Sequence, residues 1–358
     1  MDGLAARCYR QPMATAALSD EPRTRSGLTY PAGHIEPGAP VEIAPGVSVL
    51  RIAVPGPLRH VNSYLLADGG GTAVVDTGMN TPDARAVWDG LKDLRVTRVI
   101  GTHFHPDHIG LAGLLCERHG APLVMTRSEW LYARMLLGDA RDEVPAEMVG
   151  WWRGAGWSEE QVEHARARGW AGFRRIVSPL PLGHTRIADG DRVAIGGAEW
   201  RVVAGSGHSP EHACLLDERR GVLIAGDQVL PRISPNISLT VSEPEGDPLG
   251  DWFASIEKLR GLDPDLLVLP GHGDPFRGSH ARLGQMEDEH RERLDALEAH
   301  LAQPRRAVDC FAVLFRRPIG ADMLGMATGE ALAHLRRLER EGRAVTEERD
   351  GVRWWGVA

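Results

Sequence analysis

The chain has 358 residues, a length that allows two or three folded domains at roughly 150 residues each. Its composition, 42% hydrophobic and 25% charged, is that of an ordinary globular protein, and no apolar run reaches the roughly 18 residues that a membrane span requires. The formal net charge of −8 argues against a protein whose main ligand is a polyanion such as nucleic acid.

The N-terminus and the cysteines indicate the compartment. The N-terminus lacks the compact apolar block of a secretion signal. The cysteines are far apart and form no C-x-x-C pair, which is typical of reduced thiols and not of a disulfide framework. We therefore expect a cytoplasmic protein without membrane contact. The cysteines in question are Cys8, Cys116, Cys214 and Cys310.

The first third of the chain predicts a loosely ordered arm followed by an α/β domain. Residues 1–40 form the arm, because they mix Pro, Gly, Ser, Thr and Arg without an apolar period. Residues 61–66 and 72–76 predict a hairpin that turns through 68–71. Thr81 and Pro82 are typical of a helix start, and strands and helices alternate from there. Such alternation is typical of α/β folds.

Residues 128–175 predict a helical lid inserted into this domain. The segment has amphipathic helical patterns and holds half of the chain's ten tryptophans. The plainer interpretation is that these tryptophans pack against the domain. The functional one is that some of them line an apolar substrate pocket. The residues to which we assign that second role are Trp151, Trp152 and Trp157.

Residues 279–358 predict a small separate module. Helical patterns are followed by a terminal hairpin that turns at Asp350 and Gly351, which favours a winged-helix-like unit. A tail of this kind raises the hypothesis of RNA binding. Its 13 arginines are offset by 14 acidic residues, so it lacks the basic face that phosphate binding requires. We expect no nucleic-acid partner and predict a role in packing or in a homodimer.

The strongest chemical signal lies at residues 103–108. His103, His105, Asp107 and His108 follow an apolar strand pattern directly, which gives four potential metal ligands within six residues. Imidazole and carboxylate groups are good ligands for divalent metals of borderline softness. A loop at the end of a strand can direct alternate side chains into one cavity. This run therefore predicts a metal site.

Three isolated residues occur in the same kind of context. His208, Asp227 and His272 each follow an apolar run, and a glycine immediately precedes each of them. Glycine allows the backbone to bend sharply or to approach a ligand closely. Each residue alone is more typical of a turn than of a ligand, but together with the 103–108 run they predict one shared metal site.

This ordered set, together with Asp76-Thr77-Gly78, resembles the metallo-β-lactamase-fold metallohydrolase superfamily, and within it the β-lactamase-like hydrolases with a C-terminal winged-helix-like tail. The resemblance covers roughly residues 45–278. It implies a four-layer αββα sandwich. The catalytic domain would span 41–278, with the lid insertion at 128–175 and the winged-helix-like module at 279–358.

The resemblance also implies a role for each residue. His103, His105 and His208 would hold a first metal ion. Asp107, His108 and His272 would hold a second, and Asp227 would bridge the two. Asp76 would orient the 103–108 loop without touching metal. The cofactors would be two divalent ions, with zinc the default for such ligands and iron or manganese as alternatives.

Two ions that share a hydroxide would supply both the nucleophile and the electrophile for attack on a carbonyl. Asp107 would in addition hold or relay the proton, as a catalytic residue. True β-lactamases of this fold carry cysteine or serine where this chain has Asp227, which argues against antibiotic hydrolysis. Arg232 and Asn236 follow Asp227 in a loop from which either side chain could orient an oxyanion.

We therefore predict a binuclear hydrolase of a small molecule, namely a thioester, lactone or ester with an apolar portion. The leading alternative is a metal-dependent endoribonuclease or phosphodiesterase. A mononuclear-iron sulfur dioxygenase is a further alternative, because such enzymes keep a similar motif. The last alternative is a non-catalytic scaffold with a vestigial site, against which the complete ligand set argues.

Overall fold

The computed structural model describes residues 14–15 and 27–358, so the rest of the predicted N-terminal arm lies outside the described residues. The described part of the arm, 27–40, is packed and not loosely ordered. Leu28 and Ile35 are buried, and the backbone of Thr29 pairs with that of Arg277. Two isolated apolar side chains, which form no period in the sequence, anchor this stretch to the domain.

The first sheet contains eight described strands in chain order. They are β1 (Ala14–Thr15), β2 (Val41–Ala44), β3 (Val47–Ala53), β4 (His60–Asp68), β5 (Gly71–Val75), β6 (Val96–Ile100), β7 (Leu123–Thr126) and β8 (Thr185–Ile187). Strands β2 to β5 are antiparallel neighbours, and β5 to β8 are parallel ones. Gly69 and Gly70 form the turn between β4 and β5 with positive φ at both positions, as a type I′ turn requires.

The second sheet contains five described strands in the spatial order β13-β12-β11-β10-β9. They are β9 (Arg192–Ile195), β10 (Ala198–Gly205), β11 (His212–Asp217), β12 (Val222–Gly226) and β13 (Leu267–Pro270). Only β12 and β13 run parallel among them. Both sheets are therefore mixed.

Apolar side chains fill the space between the two sheets, with Tyr64 and Trp200 among the largest of them. A second core covers the outer face of the first sheet, where Trp88 and Leu115 pack. The helices on this side are α1 (Pro82–Gly90), α2 (Pro106–Ile109) and α3 (Ala112–His119). Thr81 caps α1 by accepting a hydrogen bond from the amide of Ala84, as the sequence predicts.

The outer face of the second sheet carries the third core, which α8 (Pro248–Arg260) covers through Trp252 and Ile256. Two helix layers around two sheets confirm the α/β sandwich. The lid contains α4 (Arg127–Gly138), α5 (Ala146–Gly154), α6 (Glu159–Ala167) and α7 (Gly172–Ile176).

The C-terminal unit, whose predicted boundary stays a prediction, begins with α9. It contains α9 (Ser279–His300), a 3₁₀ turn (Ala307–Cys310), α10 (Phe311–Leu314), α11 (Leu324–Arg340), β14 (Ala344–Arg349) and β15 (Val352–Val357). Helices followed by a hairpin match the predicted order of elements, and the winged-helix comparison itself stays a prediction. The unit shares the third core with the second sheet and with lid residues, so it is packed against the catalytic domain. Among the helices that the structure describes, none is long and apolar enough to cross a bilayer.

Candidate metal centre

The predicted ligands lie where strands end, and both sheets contribute them. His103 and His105 follow β6, and Asp107 and His108 lie in the short helix α2 directly after them. In the second sheet, His208 lies between β10 and β11. Asp227 follows β12, and His272 follows β13. All seven side chains come together in three overlapping groups, linked through His103 and His108, and they form two adjacent clusters.

The first cluster, here called the three-histidine pocket, contains His103, His105 and His208. The Nε2 atom of His103 lies 2.8 Å from Nδ1 of His105 and 3.3 Å from Nε2 of His208. The last two atoms are 3.0 Å apart. Ligand nitrogens around a tetrahedral zinc ion at its usual bond lengths are about 3.3 Å apart. The spacing therefore fits a metal ion within this triangle after a small expansion.

Hydrogen bonds fix which nitrogen two of these rings present. The Thr102 hydroxyl lies 2.8 Å from a carboxylate oxygen of Asp76, to which it donates, so it accepts from Nδ1 of His103 at 2.9 Å. The Nδ1 atom of His208 donates to the backbone carbonyl of Asn236 at 2.8 Å. Both rings are thereby left with a bare Nε2 that points into the pocket, which is the tautomer that metal binding needs.

The second cluster, here called the carboxylate pocket, contains Asp107, His108, Asp227 and His272. Nε2 of His272 lies 3.3 Å from Asp107 and 3.4 Å from Asp227, and Nε2 of His108 lies 3.3 Å from Asp227. Asp227 is also 3.6 Å from Nε2 of His208. One carboxylate thus faces both pockets, as a bridging ligand does.

Several polar atoms of this cluster are buried without a hydrogen-bond partner. They are Nε2 of His108, Nε2 of His272 and Oδ1 of Asp227. A buried polar atom left unpaired costs roughly 1–3 kcal/mol, and such atoms are rare among buried groups. Here they converge on one place with the donor chemistry that divalent ions prefer. The residues present therefore fit a pair of divalent metal ions.

The two pockets differ in their electrostatics. Burial, followed by neighbouring imidazoles, lowers the pKa of His103 well below its usual value, and burial together with His208 lowers that of His105 to about 3. In the carboxylate pocket burial also opposes charge. There the carboxylates of Asp227 and Asp107 prevail and raise the pKa of His272 to about 10. The first pocket is a set of neutral nitrogens, and the second is a set of ion pairs.

Asp76 holds residues of both pockets in place through hydrogen bonds. It is buried and has the left-handed φ of 59°, which is unusual for a residue other than glycine. Its carboxylate accepts from the amide of Thr102 at 2.8 Å and from Nδ1 of His108 at 2.7 Å. The carboxylate therefore fixes the 103–108 loop and one ring of the carboxylate pocket, with no direct place among the converging atoms.

Glycines allow the second sheet to approach the centre closely. Gly226 has φ 48°, and a Cβ there would lie 2.5 Å from Nε2 of His212. A Cβ on Gly271 would collide with Oδ1 of Asp227. A side chain at Gly271 would displace the carboxylate of Asp227, and one at Gly226 would displace His212, whose Nε2 accepts from the backbone amide of Asp227 at 3.1 Å. These contacts explain the glycines that the sequence places before Asp227 and His272.

Sequence reasoning missed Glu129, a fully buried residue in α4 of the lid. Its carboxylate accepts from the amide of Phe104 at 2.9 Å and from the hydroxyl of Ser209 at 2.7 Å, so it ties the His105 loop to the His208 loop. Burial raises its pKa to about 7 despite these donors. An acid in the first turn of an amphipathic helix gives no signal of such a role.

A second network missed by sequence reasoning supports His272. Its Nδ1 donates to the backbone carbonyl of His60 at 2.6 Å, and Nε2 of His60 accepts from the amide of Gly273 at 3.0 Å. Buried Arg51 donates to the carbonyl of Gly273 and pairs with Asp274 at 2.9 Å. The first sheet therefore holds the carboxylate pocket's last ligand.

The tryptophans proposed as pocket residues pack against the C-terminal unit. Trp152 and Trp157 are buried and stacked, with ring centroids 4.9 Å apart, and Nε1 of Trp157 donates to the hydroxyl of Thr328. Trp151 lies under the guanidinium of Arg353. These contacts favour the packing interpretation for all three.

The two loop residues proposed to orient an oxyanion have different surroundings. Arg232 is exposed. The side chain of Asn236 donates to the carboxylate of Glu330 at 2.9 Å and accepts from Ser238, while its backbone carbonyl holds His208. Asn236 thus contacts the centre through its backbone.

Known proteins resemble the chain over most of its length. The family profile described as Metallo-beta-lactamase superfamily matches residues 56–272, and the profile described as Metallo-beta-lactamase-like, C-terminal domain matches residues 294–358. A solved beta-lactamase domain protein from Burkholderia ambifaria is 37% identical, with a TM-score of 0.85 over 92% of this chain and 98% of that one.

Two curated relatives are more distant. A Bacillus subtilis protein described as probable metallo-hydrolase YqjP is 26% identical over 85% of this chain and 95% of its own length. An atrochrysone carboxyl ACP thioesterase from Emericella nidulans is 22% identical over 86% of this chain and 84% of its own length. With the complete His and Asp centre in place, these matches show that the chain belongs to the metallo-β-lactamase superfamily and is a metallo-hydrolase of that fold.

Proposed function

We propose that the chain is a binuclear metal-dependent hydrolase that cleaves an ester-like carbonyl, namely a thioester, lactone or ester with an apolar portion. One observation carries the proposal. Seven predicted ligand side chains form two adjacent pockets that Asp227 faces from between them, and three of their atoms are buried without a hydrogen-bond partner. Zinc is the proposed metal, because the set consists of nitrogen and oxygen donors.

Two divalent ions in these pockets would lower the pKa of water and polarise the carbonyl under attack. The chain's own contribution is to hold the donor atoms in place. Asp227 faces both pockets and sets their separation, while Thr102 and Asn236 keep His103 and His208 in the tautomer with a bare Nε2.

Asp107 is the residue proposed to move the proton. Its side chain is 13% exposed, against 8% for Asp227 and 2% for Asp76, so it is the most accessible carboxylate of the three. Burial opposes its ionisation, but His108 and His272 lower its pKa below the usual range. An ionised and accessible carboxylate beside the reacting water can accept the proton at Oδ and return it to the leaving group.

Aromatic residues beside the three-histidine pocket support a substrate with an apolar portion. The ring of Phe104 lies 4.4 Å from that of His105, and the ring of Tyr132 lies 4.5 Å from Phe104, between centroids. In the loop after Asp227, Ile233 is 46% exposed. Apolar walls with a few polar groups are the usual composition of small-molecule sites. The thioesterase among the relatives makes a thioester the first class to test.

The contacts of the C-terminal arginines do not favour the ribonuclease alternative. Arg336 pairs with Glu339 at 2.8 Å, and Arg337 pairs with Asp247 at 2.8 Å. Paired guanidinium groups add little to phosphate binding, because their charge is already balanced. A homodimer stays a prediction.

Metal content and a substrate panel test the proposal together. Protein purified without added metal is analysed for metal per chain and then assayed on a thioester, a lactone, an aryl ester, a phosphodiester and single-stranded RNA. Two zinc ions with carbonyl hydrolysis are expected. RNA cleavage would favour the ribonuclease, and a single iron with oxygen consumption would favour the dioxygenase. A chain without metal or turnover would favour the scaffold.

A further inference from the structure

We propose that the C-terminal unit positions the metal ligand His208, and that Glu330 is the residue through which it does so. The inference rests on the proposed metal centre. It concerns a loop of the second sheet, residues 231–240, here called the site loop. This loop follows Asp227, and its Asn236 carbonyl accepts the Nδ1 proton of His208 at 2.8 Å.

The first link joins the site loop to α11. The Asn236 side chain donates from Nδ2 to the carboxylate of Glu330 at 2.9 Å, and its Oδ1 accepts from the hydroxyl of Ser238. Glu330 is itself held by Arg293 of α9 at 3.2 Å. The mostly buried carboxylate of Glu330, in the C-terminal unit, therefore holds Asn236, whose backbone carbonyl accepts from His208.

The helix is shaped for this contact. A Cβ on Gly329 would lie 2.7 Å from Oγ of Ser238, and the carbonyl of Gly329 accepts from the amide of Leu239 at 3.0 Å. Glycine within a helix is destabilising relative to alanine. Here it lets α11 approach the site loop more closely than any other residue would.

A second link consists of two buried histidines. Nδ1 of His334 lies 2.8 Å from the backbone carbonyl of Glu330, which can only accept, so this nitrogen donates. Nε2 of a neutral His334 then accepts from Nδ1 of His290 at 3.1 Å. In turn Nε2 of His290 accepts from the hydroxyl of Ser234 at 2.8 Å. Every donor and acceptor in this series of hydrogen bonds is determined. The series runs from Ser234 of the site loop to the backbone carbonyl of Glu330.

Both links meet at Glu330, one at its carboxylate and the other at its carbonyl. Outer partners of metal-binding histidines fix ring orientation, and losing one typically weakens metal affinity 10- to 100-fold. Glu330 acts one residue further out, through Asn236. It is therefore a positioning residue for the three-histidine pocket and leaves the carboxylate pocket unaffected.

The test is a stepwise metal titration of the full chain by zinc competition, with the visible spectrum of the cobalt-loaded protein as a second readout. Glu330→Ala should weaken the first-pocket affinity about 10-fold and change the cobalt bands of the nitrogen-rich position. Glu330→Gln keeps an oxygen that accepts from Asn236 and should restore both. Asn236→Ala cuts the same hydrogen bond from the other end, so the double variant should be no weaker than either single variant.

Thr328→Val is the matched control. It removes the hydrogen bond from Trp157 to the same helix, two residues away, without touching the site loop. It should leave both affinities unchanged. Equal weakening of both metal positions by Glu330→Ala, or unchanged affinity in it and in Asn236→Ala, would overturn this inference alone. A wild-type chain that binds no metal would overturn the proposed function as well.

Discussion

The two pockets of the candidate metal centre differ in how their side chains are kept in place and in which charges they carry. The three-histidine pocket contains no carboxylate of its own, and burial together with the neighbouring imidazoles keeps its rings neutral. Hydrogen bonds that His103 donates to Thr102 and His208 donates to Asn236 fix the tautomers of these two rings. The carboxylate pocket pairs His108 and His272 with Asp107 and Asp227. Without metal, the second pocket balances its own charge. The first depends on the geometry that its surroundings impose.

The residues that hold the histidines of the two pockets also come from different parts of the chain. His272 is held by the carbonyl of His60 in the first sheet, beside the buried pair of Arg51 and Asp274. His208 is held by a loop that the C-terminal unit supports through Glu330. The comparison indicates that the carboxylate pocket belongs to the sandwich itself, whereas the three-histidine pocket also needs the added unit.

The largest expected effect comes from Asp227, the carboxylate that faces both pockets. Asp227→Ala removes the bridging carboxylate and leaves His108 and His272 with fewer partners. Because loss of an outer partner already costs 10- to 100-fold, loss of this ligand should lower kcat/KM by at least about 100-fold, with lower metal content. Metal analysis and kinetics check this, with exposed Asp93→Ala as the control. Full activity with both metals retained would show that the centre is assigned wrongly.

Asp76→Asn is expected to change the metal affinities of the two pockets to different extents. The amide oxygen can still accept from the Thr102 amide, but an NH₂ group facing Nδ1 of His108 cannot accept its proton. We expect the carboxylate-pocket affinity to fall 10- to 100-fold, with a smaller change in the three-histidine pocket. Stepwise metal titration measures both. A selective loss from the three-histidine pocket would reverse the comparison.

Thr102→Val is the complementary variant. It removes the hydroxyl that accepts from Nδ1 of His103, and it keeps the backbone bond to Asp76. The three-histidine pocket should lose about 10-fold in affinity, because the ring then loses the partner that fixes its tautomer. Thr97→Val, which removes a hydroxyl bond to Asp68 elsewhere in the first sheet, is the control. The distinction between the pockets fails if both variants weaken the same position.

These variants also show what the sequence could predict. The convergence of the seven predicted ligand residues could be predicted because each follows an apolar strand pattern, and strand ends meet at one edge of a sandwich. Glu129 and Glu330 could not be predicted, because each acts through contacts with residues far away in the chain. The interpretation of residues 27–40 as loosely ordered was wrong for a related reason, since Leu28 and Ile35 are isolated anchors.

Trp152→Ala tests whether the lid takes part in substrate binding. Trp152 is buried against Trp157 and the C-terminal core, so its loss should cost about 3 kcal/mol of stability and leave KM unchanged. Thermal unfolding and kinetics on the substrates of the panel measure the two effects. Thr328→Val reports how much of the change comes from the neighbouring hydrogen bond alone. A raised KM with unchanged stability would show instead that Trp152 lines the substrate pocket.

The smallest expected effect is a pH dependence of stability that arises from the support of the three-histidine pocket. Burial lowers the pKa of His334 to about 4 and that of His290 to about 2, against 6.5 for an unperturbed histidine. The unfolded chain therefore takes up protons as the pH falls through 6.5, and the folded chain does not. Each histidine's contribution is fully present above pH 6.5 and is lost below it at up to about 1.4 kcal/mol per pH unit.

Urea unfolding of the metal-loaded protein at pH 7 and pH 5.5 measures this loss. The ligand histidines also titrate on unfolding, because metal binding is itself pH-dependent, and this contribution is common to the wild type and the variants. The difference between each variant and the wild type therefore isolates the titration of the substituted histidine. His334→Asn should destabilise the protein at pH 7 but reduce the further loss at pH 5.5, because one buried neutral imidazole is gone. Exposed His164→Asn should change neither value. If His334→Asn has the same pH dependence as the wild type, His290 and His334 take up protons in the folded chain. The donor and acceptor directions assigned to the hydrogen bonds that support His208 would then be wrong.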